Sequence, residues 1–493
     1  MKHELSKSTF MRGLNCTKSL YLNKHKPKLK DKTSDQQQSI FQRGTEVGEL
    51  AQQLHPGGID LTPVSFYNFE PSIIATREAI ARGESVIYEA VFQYDGVLAA
   101  MDILIKTKKG YSALEVKSST SVKDIFLQDI ALQTYVIENS GLKLDDVSLI
   151  YINNKFIKDG PIDITKLFNT ESVKDRIQKL KARVPNQIKK LKKILKMKSA
   201  PRTKIGLQCN DPYPCDFLGH CWKKVPEYSV FDINNLNKKK RFELYHNGYV
   251  LLEQIPEKYE MGSNQKLQVS AEVNKTVTID SKAIKGFLDK LNYPVYHLDF
   301  ETFGLAIPVI DSSKPFQQIV FQYSLHKEDT PTSEASHSEF LGAAGGVDPR
   351  PALIEKMIED CGEKGDILVW NIGFEGKKLE ELAQFSPAHS DQLNAIKTRL
   401  KDLMVPFQSR AYYTPAMKGS YSIKNVLPAI VPDFERAYKE LDIQEGVTAS
   451  LVFSQMMNGS FKGDPVKTRK CLIEYCKLDT LAMVKILDKL YTL

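Results

Sequence analysis

The spacing of hydrophobic and polar residues changes period along the first half of the chain. Residues 1–85 are predicted to be mostly helical, because apolar residues recur at helical spacing in the segments 10–25, 39–54 and 72–83. Residues 85–118 then alternate between apolar and polar positions, interrupted by an Asp-Gly pair at 95–96 and a Lys-Gly pair at 109–110. Because such pairs form tight turns, this segment predicts a meander of antiparallel strands.

The chain then returns to helical spacing. Residues 121–139 predict an amphipathic helix, residues 147–154 a further strand, and residues 171–198 one long basic helix. Helices that alternate with strands are typical of α/β domains. We therefore expect a first α/β domain at residues 1–225.

The second half repeats this alternation after a less regular stretch. Residues 226–290 read as a short helical connector. An apolar strand that ends in acidic residues follows at 293–303, a second strand begins at 366, and a long amphipathic helix closes the sequence. This pattern predicts a second α/β domain at residues 291–493.

Composition indicates a soluble globular protein. The chain has 493 residues, too many for one ordinary core, and 42% of them are hydrophobic and 26% charged. It contains no apolar run long enough to span a membrane, and its first residues lack the apolar stretch of a secretory signal. We therefore expect a cytoplasmic protein with no membrane segment.

The net charge of +8 is unevenly distributed. Between Lys174 and Lys204 lysine and arginine predominate, and Asp175 is the single acid. Such a run attracts a phosphate backbone, although a solvated helix face with its apolar residues turned inward has the same composition.

The predicted meander carries a first group of chemically suited residues. Asp102 lies in one strand, and Glu115 and Lys117 lie in the next, where residues two apart share a face. Two carboxylates side by side hold Mg²⁺ or Mn²⁺, and a neighbouring lysine orients the attacking water. Acids inside apolar strands are costly unless they are paired or bind a metal, so we expect a catalytic metal site rather than ordinary surface charge.

The order Asp-x12-Glu-Val-Lys resembles the PD-(D/E)XK nucleases, in particular the RecB-like exonucleases. This resemblance implies a restriction-endonuclease-like fold. The group often carries a histidine ligand where this chain has Gly48, so Glu46 or Glu49 is a candidate substitute. It also often carries Gln-x-x-x-Tyr on the following helix, whereas Gln133 here stands only two residues before Tyr135.

Seven cysteines in a chain expected to be cytoplasmic favour metal ligation or buried thiols over disulfides. Cys209, Cys215 and Cys221 are evenly spaced in one loop, and Cys16 lies far upstream. Four such thiols form a site for an iron–sulfur cluster or for zinc. Free buried thiols are the remaining alternative, and Cys361, Cys471 and Cys476 show no ligand spacing. 

One cysteine before the nuclease motif and three after it resemble the iron–sulfur type of RecB-like nuclease. That resemblance implies a 4Fe–4S cluster held by Cys16, Cys209, Cys215 and Cys221. Zinc stays open as the alternative, with His220 as a substitute ligand in a site of three cysteines and one histidine.

A second group of acids lies in three segments of the predicted second domain. Two of them share a strand face, one begins a helix, and the last lies on a helix face with a tyrosine four residues before it. Together they offer enough carboxylates for two cations, the arrangement used for phosphodiester cleavage. The residues are Asp299, Glu301, Glu375, Tyr475 and Asp479.

The order of these motifs resembles the DEDD 3′–5′ exonucleases of the ribonuclease H-like fold, in the subgroup ending Tyr-x-x-x-Asp. The resemblance implies that Tyr475 orients the nucleophilic water. Glu375 departs from it, since the family has aspartate there, and one extra methylene leaves metal contact within reach. The segment 419–428 either lies near the substrate groove or is a helix start with a serine cap.

Both motif sets in this order resemble a group of uncharacterised bacterial proteins that join a RecB-like nuclease to a DEDD-like domain. We expect a metal-dependent nuclease acting on nucleic acid, DNA more than RNA, with Mg²⁺ or Mn²⁺ and a 4Fe–4S cluster as cofactors. The alternatives are a nucleic-acid-binding scaffold whose nuclease modules are inactive and a zinc-containing regulator without hydrolysis.

Overall fold

Two mixed α/β units make up the chain, each built around its own sheet. The computed structural model describes residues 3–65, 68–434 and 436–493. Unit 1 comprises Met1–Lys224, Ala306–Pro308 and Ser312–Phe316, and unit 2 comprises Val225–Leu305, Val309–Asp311 and Gln317–Leu493. Among the described residues, none of the helices combines the length and apolar character needed to cross a membrane.

Unit 1 contains a sheet of seven described strands in the order β2-β3-β4-β5-β6-β7, and β1 pairs in parallel with β4. The strands are β1 (Leu5–Ser6), β2 (Ile59–Asp60), β3 (Val86–Tyr94), β4 (Val97–Lys106), β5 (Tyr111–Lys117), β6 (Leu144–Ile152) and β7 (Phe168–Ser172). The helices are α1 (Lys7–Asn15), α2 (Thr17–His25), α3 (Asp35–Gln52), α4 (Glu70–Arg82), α5 (Asp124–Asn139), α6 (Ile164–Leu167), α7 (Gln178–Lys181), α8 (Val184–Leu195) and α9 (Leu218–Trp222).

The predicted strand meander over 85–118 is confirmed, because β3, β4 and β5 pair antiparallel in succession. Their alternation gives each strand two faces. Ala113 and the apolar residues on its side of the sheet pack against α1, α5 and α8. Leu114 and Val116 lie on the other side and pack against α3. Glu115 and Lys117 therefore belong to the face covered by α1 and α5.

Two helices predicted as continuous are interrupted. Cys16 has an extended backbone between α1 and α2, and its sulfur accepts the amide N–H of Ser19 as the cap of α2. The predicted helix over 171–198 is wrong in its first half, where β7 ends and the short α7 follows. α8 begins at Val184 with Pro185 in its first turn, because proline has no N–H to donate to the carbonyl four residues before it and so does not continue a helix from α7.

Unit 2 contains a five-stranded sheet in the order β11-β10-β9-β12-β13 and a separate pairing of β14 with β8. The strands are β8 (Thr278–Ile279), β9 (Val295–Phe303), β10 (Ile319–Glu328), β11 (Ser336–Leu341), β12 (Asp366–Val369), β13 (Leu400–Asp402) and β14 (Tyr412–Tyr413). The helices are α10 (Lys238–His246), α11 (Ser263–Asn274), α12 (Ser281–Leu288), α13 (Arg350–Cys361), α14 (Ile372–Phe385), α15 (Ser390–Thr398), α16 (Val405–Gln408), α17 (Ile423–Ile430), α18 (Gly446–Asn458) and α19 (Pro465–Tyr491).

The central strand β9 separates two cores. Its residues Leu298 and Phe300 pack against α13, α14 and α15, and its opposite face lies against α18 and α19. Asp299 and Glu301 belong to the face that α19 covers, because they alternate with the apolar residues.

The segment predicted as a helical connector, 226–290, is packed into unit 2. Val230, Leu244 and Leu252 contribute to a small core of its own, while Ile284 joins the core beneath α17 and α19. These apolar residues pack together because packing removes their surface from water, whereas an exposed connector would leave that surface solvated.

Candidate functional site

The acids of unit 1 lie at a gap in the sheet. One edge of β4 pairs with β5 only as far as Ile103 opposite Leu114, and further along the same edge Val97 and Leu98 pair with β1. Asp102 lies in the gap between these two pairings, and Glu115 is the first residue of β5 beyond it. The open edge leaves Asp102 and Glu115 unpaired across β4 and β5, although Glu115 pairs with Leu149 of β6 on its other side. This gap leaves room for a ligand between the two strands.

Glu115 is surrounded by donors from its own strand and from α5. Lys117 Nζ donates to Glu115 Oε1 at 2.6 Å and to Asp129 Oδ2 at 2.7 Å. Gln133 Nε2 donates to the other oxygen, Glu115 Oε2, at 2.8 Å. The structure therefore brings Glu115, Lys117 and Gln133 together, and it adds Asp129, which the sequence analysis did not select.

Asp102 accepts the amide N–H of Val116 through Oδ2 at 2.6 Å, which ties its carboxylate to the neighbouring strand. Burial and the nearby Glu115 raise the pKa of Asp102 to about 7. Burial also acts to raise the pKa of Glu115, but Lys117 and Lys7 outweigh it and lower that pKa to about 2. The two acids therefore differ in protonation near neutral pH.

A second lysine reaches this group from the start of the chain. Lys7 Nζ donates to Glu115 Oε1 at 2.8 Å. Lys7 is the first residue of α1, and the pairing of β1 with β4 places it there. Nothing in the local sequence around Lys7 indicates this role, because the contact depends on a strand pairing between distant segments.

Glu89 is a further acid of this group. Its φ of 53° lies in the left-handed region, and the β3–β4 pairing skips it between Tyr88 and Ala90. Burial and Asp102 raise the pKa of Glu89 to about 8. Positive φ at a non-glycine residue is uncommon and clusters at functional sites. The sequence carried a signal for it, since Glu89 is the single acid in an apolar strand.

The other candidates of unit 1 lie elsewhere. The buried residues of α3 pack on the sheet face opposite Glu115, so the structure does not bring Glu46 or Glu49 to the site. The ring of Tyr135 packs edge to face on Tyr94, with the ring centroids 5.7 Å apart, and does not contact the acids either.

The four cysteines that the sequence selected line one small cavity of unit 1. Cys16, Cys209, Cys215 and Cys221 contribute to its wall together with Lys18 and Phe217, and His220 is not among the lining residues. Amide N–H groups donate to two of the sulfurs, from Ser19 to Cys16 and from Gly206 to Cys209, each at 3.5 Å.

Burial raises the pKa of the Cys16 and Cys221 thiols, and the neighbouring cysteines raise them further. Thiolates at these positions therefore need a positive partner. No three of the four sulfur atoms lie within 4.8 Å of one another in the part of the chain that the structure describes. Cys361, Cys471 and Cys476 lie outside this cavity.

The acids of unit 2 converge from segments that are far apart in sequence. Asp299 and Glu301 lie on β9 beyond the point where its pairing with β12 ends at His297 opposite Leu368. Asp479 approaches them from α19. One carboxylate oxygen of each of these three acids lies within 4.8 Å of the other two. The three acids therefore form a group that fits around one cation.

These acids line a cavity of about 210 Å³. Its wall comprises Asp299, Phe300, Glu301, Trp370, Asn371, Phe374, Glu375, Ile423, Lys424, Tyr475, Asp479 and Met483. All five candidates of the second domain therefore reach one cavity, and Ile423 and Lys424 show that the segment 419–428 borders it. Ser422 precedes α17, but its side chain makes no capping hydrogen bond there.

Glu375 lies somewhat apart from the other three acids. It sits in the first turn of α14, is almost completely buried, and its Oε2 has no hydrogen-bond partner in the described structure. Burial raises its pKa to about 8. The helix begins after Asn371, whose φ of 111° makes the sharp turn out of β12. A buried carboxylate oxygen without a hydrogen bond is energetically costly, and a bound ligand would satisfy it.

Burial and mutual repulsion raise the pKa of the remaining acids. Burial and Asp479 raise the pKa of Glu301 to about 8. Burial and the same neighbour raise the pKa of Asp299 well above its usual range. Burial raises the pKa of Asp479 to about 6, although a hydrogen bond from Tyr438 opposes this. Three carboxylates that repel one another in a buried cavity are stabilised by a cation.

Two residues that the sequence analysis did not select complete this cavity. Tyr438 donates its hydroxyl to Asp479 Oδ1 at 2.6 Å. Lys424 Nζ donates to the Tyr475 hydroxyl at 3.3 Å and to the Gln444 carbonyl at 2.6 Å. Cys476, which the sequence suggested to be a core residue, is buried and directs its thiol at Asp299 Oδ2 at 3.8 Å.

A known family matches part of unit 2, and several known proteins match parts of this chain. Residues 296–422 match a family described as a domain of unknown function, DUF2779. An uncharacterized protein of Mycoplasma pneumoniae, the MG366 homolog, is 29% identical over 227 residues, which are 43% of this chain and 34% of the relative. The uncharacterized protein UU173 of Ureaplasma parvum is 29% identical over 182 residues, 34% of this chain and 26% of its own.

The uncharacterized protein MG366 of Mycoplasma genitalium is 28% identical over 217 residues, 41% of this chain and 32% of the relative. The matches thus span about a third or less of the length of these relatives. The DUF2779 match contains Asp299, Glu301 and Glu375 and ends before Tyr475 and Asp479.

Proposed function

We propose that this protein is a metal-dependent nuclease that hydrolyses phosphodiester bonds of nucleic acid. The observation that carries the proposal is the convergence of Asp299, Glu301 and Asp479 within 4.8 Å. These residues come from two segments separated by more than 170 positions, and Tyr475 and Glu375 share their cavity. Such a set has no structural benefit without a cation, because buried like charges are costly.

The folds fit two nuclease classes. We propose that unit 2 is ribonuclease H-like, of the DEDD type, and that unit 1 is of the PD-(D/E)XK type. The mixed five-stranded sheet with two acids on its central strand supports the first assignment. The second is supported by Asp102 and Glu115 at the open edge of a mixed sheet, with Lys117 on the same face as Glu115.

The residues present in unit 2 fit Mg²⁺ or Mn²⁺. Both ions prefer carboxylate oxygen, and Asp299, Glu301 and Asp479 offer it around one point. The unpaired Glu375 Oε2 supplies a fourth oxygen on the wall of the same cavity. A divalent cation bound by these oxygens would stabilise the negative charge that develops on the phosphate.

The protein side chains position water and phosphate around that charge. Tyr475 shares the cavity of the acids, where its hydroxyl would orient the attacking water, and Asp479 accepts a hydrogen bond from Tyr438. In unit 1, Asp102 and Glu115 would hold the cation, and Lys117, which donates to Glu115 Oε1, would orient the water. Glu375 has one methylene more than the aspartate of the DEDD enzymes, and it still lines the cavity wall.

The four cysteines fit a 4Fe–4S cluster better than zinc. A single zinc ion with Zn–S bonds of about 2.3 Å brings its thiolates within about 4 Å of one another. These sulfurs line one cavity and, in the described structure, no three of them lie within 4.8 Å of one another, which leaves room for a cluster with a separate iron for each thiolate. Amide donors to Cys16 and Cys209 are typical of such sites.

Nucleic acid is the substrate class that suits both sites and the charge distribution. Lys189, Lys190 and Lys193 of α8 are exposed, and its apolar residues are turned into the core of unit 1. A basic helix face attracts phosphate regardless of sequence. Of the two nucleic acids, we propose DNA over RNA on the resemblance to RecB-like enzymes.

The test measures cleavage by protein purified without oxygen. Labelled single- and double-stranded DNA and RNA are incubated with Mg²⁺, Mn²⁺ or EDTA, and the wild type is compared with Asp102→Asn, Asp299→Asn and the double variant. We expect cleavage that needs the metal and that the double variant lacks, with a loss of at least about 100-fold, the scale of an electrostatic group at a reacting centre. Glu474→Gln, an exposed acid beside Tyr475, is the matched control.

A wild type that binds nucleic acid but cuts none of these substrates with either metal would support a binding scaffold instead. A double variant that cuts like the wild type would assign the cleavage to a contaminant. Either result overturns the proposal.

A further inference from the structure

Lys424 is the single basic residue among those that line the acidic cavity of unit 2 in the described structure. It lies in the first turn of α17, inside the segment 419–428. Its Nζ lies 3.3 Å from the Tyr475 hydroxyl oxygen and 5.1 Å from the centre of the Tyr475 ring. The ammonium group therefore lies at the hydroxyl end of the tyrosine.

From this contact we infer that Lys424 is a positioning residue, which fixes the direction of the Tyr475 hydroxyl proton. The inference rests on the proposed nuclease function and adds a residue that the motifs do not contain. An ammonium group has donors and no acceptor, so Lys424 necessarily donates and the Tyr475 oxygen accepts. The hydroxyl proton then points away from Lys424.

The direction left to that proton is the acid side of the cavity. Tyr475 and Asp479 are four residues apart on α19, and the Tyr475 hydroxyl acts to lower the pKa of the Asp479 carboxyl, which shares its cavity. A hydroxyl whose oxygen is already an acceptor for Lys424 keeps its proton available for this direction. Water bound beside the acids therefore meets a tyrosine of defined orientation rather than a freely rotating one.

Lys424 also makes a second contact, and an experiment must distinguish its effect from that of the contact with Tyr475. Its Nζ donates to the Gln444 carbonyl at 2.6 Å, and so holds the segment 436–445 near the cavity. The same segment is held independently by Lys467, whose Nζ lies 2.9 Å from Asp442 Oδ2. Lys467→Met is thus a matched control that loosens the segment and leaves Tyr475 in place.

Apolar residues rather than Lys424 anchor α17. The neighbouring residues Val426, Leu427 and Ile430 anchor α17 in the core, and all three are buried. Lys424 is half-buried, and methionine keeps the length of its aliphatic stem. We therefore expect Lys424→Met to fold, which circular dichroism checks.

The experiment is a double-mutant cycle on 3′-end cleavage. Lys424→Met, Tyr475→Phe and the double variant are compared in an Asp102→Asn background, with Lys424→Arg as the conservative variant. We expect Lys424→Met to lower kcat by about 10–100-fold, the scale of partners that orient groups at a metal site, with little change in KM. Lys424→Arg should recover most of the loss, and the double variant should be no slower than Tyr475→Phe alone.

Three outcomes overturn the inference. They are multiplied losses in the double variant, an unchanged kcat in Lys424→Met, or an equal loss in Lys467→Met. Asp299→Asn in the same background separates this inference from the proposed function. If Asp299→Asn abolishes cleavage and Lys424→Met does not reduce it, only the role of Lys424 fails. If Asp299→Asn cuts normally, or the wild type cuts nothing, the proposed function and the role of Lys424 fail together.

Discussion

Lys7 and Glu115 are 108 positions apart, yet Lys7 Nζ donates to Glu115 Oε1 at 2.8 Å. Lys117 Nζ donates to the same oxygen, so two ammonium groups share one carboxylate oxygen. Together they outweigh the effect of burial and lower the pKa of Glu115 to about 2. Glu115 is thereby kept ionised, while Asp102 beside it has a pKa of about 7.

The first prediction concerns these two lysines. In an Asp299→Asn background, Lys117→Met should reduce cleavage by at least about 100-fold, because Lys117 bridges Glu115 and Asp129. Lys7→Met should give a smaller loss of about 10-fold, because Lys117 still contacts Glu115. Single-turnover rates measure both effects, and Lys109→Met, in an exposed turn, is the control.

Fluorescence anisotropy should show that both lysine variants still bind nucleic acid with nearly wild-type affinity. Unchanged cleavage in Lys117→Met would mean that this lysine only stabilises the fold of unit 1.

The second prediction concerns the cysteines. Replacement of Cys16, Cys209, Cys215 or Cys221 by serine should remove the brown colour and the bound iron and lower the melting temperature of unit 1. Iron analysis, the visible absorption spectrum and calorimetry measure these effects. Cys471→Ser should change none of them, because Cys471 lies outside the cavity that these cysteines line.

Cys16→Ser should also slow cleavage at the first site. Lys7 is the first residue of α1, and Cys16 caps its end. Loss of the cluster contact at Cys16 should therefore loosen the helix that carries Lys7 to Glu115. A colourless wild type with stoichiometric zinc would contradict the iron–sulfur assignment and leave the four-cysteine site intact.

The third prediction concerns the division of labour between the units. Asp299→Asn should remove one cleavage activity and leave the activity of the Asp102 site, because each set of acids lies in its own unit. A phosphate or dideoxy block on the 3′ end should stop the Asp299-dependent activity, a direction implied by the DEDD resemblance. Product ladders from 3′- and 5′-labelled substrates measure this.

A different result would change the assignment of unit 2. If Asp299→Asn retains every activity while Asp102→Asn loses all of them, unit 2 binds nucleic acid without cutting it. Binding through phosphate contacts should in either case weaken as salt concentration rises.

The fourth prediction concerns stability and pH. The pKa of Glu301 is raised to about 8 and that of Glu375 to about 8, whereas an unfolded glutamate titrates near 4.3. The folded chain therefore binds these protons more tightly than the unfolded chain. The free energy of unfolding in EDTA should decrease as pH rises from about 4.5 to about 8.

Differential scanning calorimetry at pH 5, 6.5 and 8 measures this effect. Mn²⁺ should restore stability most at pH 8, with a shift on the order of 5 °C. The Glu301→Gln variant should show a weaker pH dependence and a smaller response to Mn²⁺. Equal pH slopes for Glu301→Gln and the wild type would show that Glu301 is not a source of the effect.

The sequence alone identified residues whose chemistry is local. Alternation with turn pairs at 95–96 and 109–110 determined the β3–β5 meander, and strand period two placed Glu115 beside Lys117. Helix period placed Tyr475 and Asp479 on one face of α19. Acids within apolar strands marked Asp102, Asp299 and Glu301, because burial of a charge without a partner is costly.

Sequence reasoning was less successful where one residue redirected the chain. Helical spacing predicted a single helix across Cys16 and across Pro185, and each of these residues interrupts it. The connector at 226–290 has its own small core, which residue spacing did not reveal because its apolar residues meet across loops and short helices.

Only the tertiary structure decided which distant residues complete each site. Lys7 reaches Glu115 because β1 pairs with β4, and Asp129 reaches Lys117 because α5 packs on the face of the sheet to which Lys117 belongs. Lys424 reaches Tyr475 through the packing of α17 on α19. None of these contacts follows a sequence period, because each results from burying apolar faces of separate elements against one another, and that burial is non-directional along the chain.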